Sequence, residues 1–169
     1  MILACAGDTP TLETIAAAWL LRRIAPELRV RVVNVIDLMT LFHPELHPHG
    51  MSRERFLELF GRDCPVVFAF HGYQNAVHQM VHRRPNPARF HVRGFMEQGT
   101  TTTPFDMVVL NGMSRYHLSM EALRRARRFR DEAPALIAQC EAKLAEHHDY
   151  VREHLEDMPE IRDWVWTEV

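Results

Sequence analysis

A chain of 169 residues, 47% hydrophobic and 25% charged, has the size and composition of one folded domain that buries about 70% of its unfolded surface and needs no disulfide or metal staple. Its formal net charge of −2 excludes a general nucleic-acid binder, because neutralising phosphates takes a basic excess. No apolar run approaches the roughly 18 residues of a membrane-spanning helix, and no basic segment followed by an apolar one reads as a secretory signal.

The elements alternate along the chain. Ile2–Ala6 is a short apolar strand ending at Gly7. It begins so abruptly that the sequence is expected to be a part of a longer protein, folded as one domain over residues 1–169. Leu12, Ile15, Ala16, Trp19, Leu20 and Ile24 recur at helical spacing. The valine-rich stretch 29–35 reads as a strand. Residues 37–51, with two prolines and Gly50, read mostly as loop, and Ser52 as the N-cap of a short helix carrying Phe56, Leu57, Leu59 and Phe60. Cys64–Phe70 is apolar nearly throughout, the mark of a strand covered on both faces. Residues 74–84 read as a helix, Phe90–Arg93 as a brief strand, and Phe105–Leu110 as a further apolar run of strand type. Ser114 caps a helix to about Arg128, and Ala133, Leu136, Ile137, Cys140, Leu144 and Val151 mark a last long helix. About five strands alternating with helices predict an α/β fold: a mostly parallel sheet in a three-layer α/β/α sandwich.

Two counts invite a chemical reading: 11 histidines, and basic charge that is almost all arginine, Lys143 being the single lysine. The segment His43-Pro-Glu-Leu-His47-Pro-His49 has the residue types of a zinc site, but its prolines keep it off a helix and no partner carboxylate is evident, so a structured loop with hydrogen-bonded imidazoles is expected. His78 and His82 share a helix face, yet Gln79 stands where a zincin needs Glu. His147, His148 and His154 are expected on the outer face of the last helix. Cys5, Cys64 and Cys140 form no CxxC and sit among apolar neighbours, which predicts buried free thiols and a reducing, cytoplasmic location.

Gly7-Asp8-Thr9-Pro10-Thr11 joins a strand to a helix. Asp8 or Thr9 would cap that helix, with Pro10 in its first turn. The same residues could hold a phosphate-like anion at the helix N-terminus. Asp8 followed by Asn34 also imitates the Mg²⁺ motif of thiamine diphosphate enzymes, but Thr9 replaces its second glycine and Asn34 lies inside a strand. Gly99 and Thr100 to Thr103 could hold an anion through hydroxyls and amides, or could simply cap a helix. In open α/β sheets ligands favour the carboxyl ends of the strands. Candidate ligand positions are therefore Asp8, Thr9, His71, Gly72, Tyr73, Gly99, Thr100 and Thr101, for a phosphate-bearing metabolite or nucleotide.

Several strings carry a resemblance: Ala6-Gly-Asp-Thr-Pro-Thr-Leu-Glu-Thr14, Val32-Val-Asn-Val-Ile-Asp-Leu-Met39, His47-Pro-His-Gly50, Val67-Phe-Ala-Phe-His-Gly-Tyr73, His91-Val-Arg-Gly94, Glu97-Gln-Gly-Thr-Thr-Thr-Thr-Pro-Phe-Asp-Met107 and Asp163-Trp-Val-Trp166. In order and spacing they resemble the C-terminal domain of the xylulose 5-phosphate/fructose 6-phosphate phosphoketolases. Gln74-Asn75 and Pro85 depart from that pattern, and residues 131–156 match it loosely. The resemblance implies a transketolase-like C-terminal fold with a mixed five-stranded sheet. It implies a larger, dimeric aldehyde-lyase that cleaves a ketose phosphate with inorganic phosphate to acetyl phosphate and an aldose phosphate. Thiamine diphosphate and Mg²⁺ would be bound by other domains of that enzyme, and no catalytic, cofactor or metal residue is carried over to this chain. The partners implied are those other domains and a second copy, with no nucleic acid and no membrane.

Overall fold

The computed structural model describes residues 1–96, 99 and 101–167. Four strands, β1 (Ile2–Ala6), β2 (Arg31–Asn34), β3 (Val66–Phe70) and β4 (Phe90–Gly94), form one sheet in the order β2-β1-β3-β4. All three pairings are parallel, with Leu3 opposite both Val32 and Val67, and Phe68 opposite Val92. β1 and β3 occupy the centre, as their unbroken apolar character demands, and all five residues of β1 are buried. β2 lies at an edge and leaves Arg31, Val32 and Asn34 exposed.

The side-chain alternation of the central strands divides the core in two. Ile2, Ala4, Ala6, Val66, Phe68, Phe90 and Val92 pack with Phe56 and Phe60 of α2 (Arg53–Phe60) and Val77, Met80 and Val81 of α3 (Gln74–Val81). Leu3, Val67 and Ala69 pack on the other side with Ala17, Ala18 and Leu21 of α1 (Asp8–Ile24) and Leu118, Ala122 and Leu123 of α5 (Arg115–Arg125). The expected α/β/α sandwich is thus present. A further apolar cluster, Phe105, Tyr116, Met120, Cys140, Met158 and Ile161, joins α5 to an outer group of helices: α4 (Pro104–Leu110), α6 (Ala133–His154) and α7 (Pro159–Arg162).

The sheet has four strands among the described residues, not five. The apolar run Phe105–Leu110, read from sequence as a strand, is helix α4. Pro104 opens it with a fixed φ and no amide to lose, and the Thr103 hydroxyl accepts a hydrogen bond from the Asp106 amide at 3.4 Å. Phe105 and Val108, three apart, are the buried pair of its single apolar face. The caps at Ser52 and Ser114 are as expected: their hydroxyls accept from the amides of Arg55 at 3.1 Å and His117 at 3.4 Å. The cap of α1 is not. Gly7, at φ +104, takes the cap position without a side chain, and Asp8 is already helical.

Two buried arginines tie loops to this frame. Arg84 donates to the carbonyls of Thr40, Leu41 and Phe42 and lies over the Phe56 ring. Arg89 donates to the carbonyls of Phe60, Gly61 and Cys64, holding the C-terminal end of α2 against the start of β3. On the opposite side of the sheet the Glu13 carboxylate of α1 takes both the guanidinium and the backbone amide of Arg115, at 2.7 to 3.1 Å, with both side chains buried. Because Arg115 is the first residue of α5, the carboxylate also sits at the positive end of that helix dipole. The guanidinium is flanked by the rings of Phe105 and Trp164, so one ion pair links α1, α4, α5 and the C-terminal segment.

Arg115→Ala leaves the Glu13 carboxylate buried without its partner. Urea unfolding followed by tryptophan fluorescence is expected to show a loss of about 3–5 kcal/mol, and a loss below about 1 kcal/mol would contradict the linking role.

Candidate functional site

The chain leaves β1 into α1 on one face of the sheet and leaves β3 into α3 on the other. Between the carboxyl ends of these neighbouring strands lies the topological switch point, the place where open α/β sheets bind ligands. Gly7 and His71 meet there. The His71 amide extends the ladder to the Ala6 carbonyl at 3.1 Å, and a Cβ on Gly7 would stand 2.7 Å from the His71 Cβ. Only glycine allows that approach at a positive φ.

The close approach brings His71 Nδ1 to 3.3 Å from Asp8 Oδ1, and the His71 ring meets Phe95 edge-on. The Asp8 carboxyl is held below its usual range, first by the Thr9 amide at 2.8 Å and then by His71. The next loops interlock: the Gly72 carbonyl accepts from the Phe95 amide at 2.9 Å, and a Cβ on Gly94 would collide with the backbone of Gly72 and Gln74. Asp8, Thr9, His71, Gly72 and Tyr73 therefore gather at the carboxyl ends of β1 and β3, and Thr9 also lines a cavity of about 240 Å³ with Pro104, Asp157 and Arg162.

The remaining candidates do not converge with them in the same way. Thr101 lines a different cavity of about 560 Å³, with Thr102, Thr103, Leu155, Glu156, Asp157 and Arg162. Gly99 has open space around it, and Thr100 lies outside the described residues. Two hydroxyls of this run, those of Thr102 and Thr103, are engaged with carboxylates. Thr102 donates to Asp106 at 2.8 Å, and Thr103 to Asp157 at 2.5 Å. Asp157 also accepts the Phe105 amide at 3.0 Å, so α4 is capped by a carboxylate from beyond α6.

Beneath that cap lies a residue the sequence reading misplaced. His147 is not on the outer face of α6 but fully buried, edge-on to Phe105, with Nε2 at 3.8 Å from Asp106 and 3.9 Å from Asp157. Neither ring nitrogen has a hydrogen-bond partner among the described residues. Burial pushes its pKa down, against the pull of the two carboxylates. The apolar spacing of Cys140, Leu144, His147 and Val151 carried the signal, since position 147 continues that stripe. His148 and His154 are exposed, as expected.

The histidine-rich loop is a structured loop. His43 Nδ1 accepts from the Glu45 amide and His47 Nδ1 from the His49 amide, while His49 pairs with Asp37 at 3.0 Å. Among the described residues no group of three or more His, Cys, Asp or Glu side chains is arranged to hold a metal. The cysteines are free thiols. Cys5 and Cys140 are buried, and burial raises the Cys140 thiol to about 11; Cys64, expected to be buried, is only partly so at the start of β3.

Comparison with known proteins is decisive for the family. Residues 1–166 match the profile of the XFP C-terminal domain. The chain belongs to that family. As an XFP C-terminal domain it is 57% identical over 167 residues to a probable phosphoketolase of Brucella abortus (strain 2308), covering 99% of this chain. It is 58% identical over 166 residues (98% of this chain) to a probable phosphoketolase of Bradyrhizobium diazoefficiens, and 49% identical over 168 residues (99% of this chain) to one of Chlorobaculum tepidum. The chain spans about 21% of the length of each of these relatives. No helix among the described residues of this XFP C-terminal domain is long and apolar enough to cross a membrane.

The pKa values of His91, His117 and His147 are all lowered, chiefly by burial. The unfolded chain then binds more protons than the folded one just below the ordinary histidine pKa of 6.5, so stability rises with pH there. The histidines' contribution is present above that value and is lost as pH falls through it. The urea midpoint is expected to fall between about pH 7.5 and about pH 5.5, and less steeply for His147→Gln. An unchanged slope in that variant would show that His147 takes no part.

Proposed function

We propose that this chain is the non-catalytic C-terminal domain of a cytoplasmic phosphoketolase and serves assembly of that enzyme. The enzyme would be an aldehyde-lyase of carbohydrate metabolism, cleaving xylulose 5-phosphate or fructose 6-phosphate with phosphate to acetyl phosphate and an aldose phosphate. One observation carries this reading: the C-terminal-domain profile covers residues 1–166, while the chain is a fifth of the length of relatives named as probable phosphoketolases. The three free thiols support a reducing compartment.

Thiamine diphosphate would supply the electron sink for carbon–carbon cleavage. Asp8 and Asn34, the pair that imitates the motif, do not fit its Mg²⁺. The Asp8 carboxylate is taken by the Thr9 amide and His71, whereas the Asn34 side chain lies against Thr11 and Cys5. In this proposal the cofactor and its Mg²⁺ are both held by the remaining domains of the polypeptide, and no step of the cleavage is assigned to a residue described above. A homodimer of the full-length enzyme completes the proposal.

A second reading has one observation in its favour, the meeting of Asp8 and His71 at the topological switch point. In it the switch point takes a phosphate-bearing metabolite or nucleotide and regulates the enzyme. The Asp8 carboxylate already occupies the start of α1, which leaves the first reading ahead.

A full-length polypeptide ending in this domain is expected to form acetyl phosphate from either ketose phosphate, measured as the hydroxamate; its absence with both substrates overturns the activity. The 169-residue chain should neither turn over nor bind thiamine diphosphate in calorimetric titration, and micromolar affinity there would defeat the non-catalytic role. For the second reading, ATP, phosphate or a sugar phosphate should raise the melting temperature, an effect lost in His71→Ala; no stabilisation by any of them removes it.

A further inference from the structure

We propose that the carboxyl edge of the sheet is the face through which this domain docks onto the larger, preceding part of its own polypeptide. The inference rests on the assembly role above and names the surface that performs it.

Three of the four strands run out into an exposed apolar side chain at this edge. Ile36, two residues beyond β2, is 93% exposed; Tyr73, three beyond β3, is 66% exposed; Met96, two beyond β4, is 51% exposed. β1 leads directly into α1, whose early turns carry Leu12 at 48%. With strands about 4.8 Å apart, the order β2-β1-β3-β4 spreads these groups across about 14 Å. The opposite edge differs: of Met1, Val30, Pro65 and Arg89, which precede the four strands, none is exposed. Within three residues of the strand starts the exposed apolar residues are the small Pro87 and Ala88, so the large ones belong to the carboxyl edge.

The face is also rigid. The Gly72 carbonyl to Phe95 amide bond and the tight passage at Gly94 fix the loops that bear Tyr73 and Met96. The exposed pairs Asp8–His71 and Asp37–His49 supply polar groups among the apolar positions. Exposed apolar side chains thus flank the central Asp8–His71 pair, and large apolar side chains exposed along one edge mark a protein–protein contact.

The occupant follows from size. The family is that of a C-terminal domain, and the chain is about 21% of the length of its relatives, so about four times this length of polypeptide lies on the N-terminal side of the domain in such proteins. Chain entry at Met1 is at the far end of β1, whose five residues span about 16 Å. A neighbour attached at Met1 reaches the carboxyl edge if about five residues of extended connection precede the domain.

The test uses the full-length polypeptide with a photoreactive benzoylphenylalanine at Ile36 or Tyr73, in an equal mixture of isotopically heavy and light chains subunit-exchanged before irradiation. The expected cross-links join the labelled position to the preceding part of the same isotope. Heavy–light products would assign the face to a second copy, and no cross-link would leave it facing solvent; either overturns the proposal. The same label at Arg62, near the opposite edge, should give none, and cross-linking there equal to that at Ile36 also overturns it. Melting temperature verifies that each labelled protein is folded. A protein that cross-links as expected yet makes no acetyl phosphate sinks the assigned activity and keeps the docking face. One that makes acetyl phosphate without these cross-links does the reverse.

Discussion

The buried pair of Glu13 and Arg115 is the contact on which the helical side of the domain depends. The α1–α5 contact is built from small residues, Ala17, Ala18, Ser119 and Ala122, that let the helices approach closely but bury little apolar area each. A bidentate ion pair that also caps α5 sets the register of that contact. Its desolvation is offset by close pairing: the carboxylate accepts three hydrogen bonds and two aromatic rings flank the guanidinium. The aromatic rings come from α4 and from the C-terminal segment, so the outer helices find their places relative to one arginine.

The carboxylate cap of α4 works on the same principle at a second point. Asp157, from the turn after α6, holds both Thr103 and the Phe105 amide, and His147 lies beneath it. Thr102 and Thr103 are thereby part of the outer layer's scaffolding, while Gly7, Asp8 and His71 define the switch point. The two sites differ in kind. At one, acids hold the hydroxyls of Thr102 and Thr103; at the other, Asp8 and His71 are exposed among apolar side chains.

Much of this was legible in the residues. The unbroken run Val66–Phe70 could only be a central strand, and Ser52 and Ser114 announced their helices. Asp8 and His71 were both named from the rule that strand ends carry ligands, although nothing local shows that they touch, because the contact is made by a register 63 residues apart. The failures are instructive for the same reason. Phe105–Leu110 has six apolar-rich positions with no polar alternation, a pattern common to buried strands and short helices, and Pro104 was the discriminating residue. The partnership of Glu13 with Arg115 joins positions 102 apart, and no spacing rule reaches that far.

The parallel pairing of Ile2 with Val66 has a consequence for how the domain comes into being. β1 is the first element made, yet its central partner must wait until residue 70 has been synthesised. Until then β1 has only the edge strand β2 beside it, and its other edge is unpaired. Closing a loop of that length before the core can form makes early folding slow and dependent on topology rather than on local propensity. In a multidomain chain synthesised from its N-terminus, this segment would complete its core last, against neighbours that have already folded.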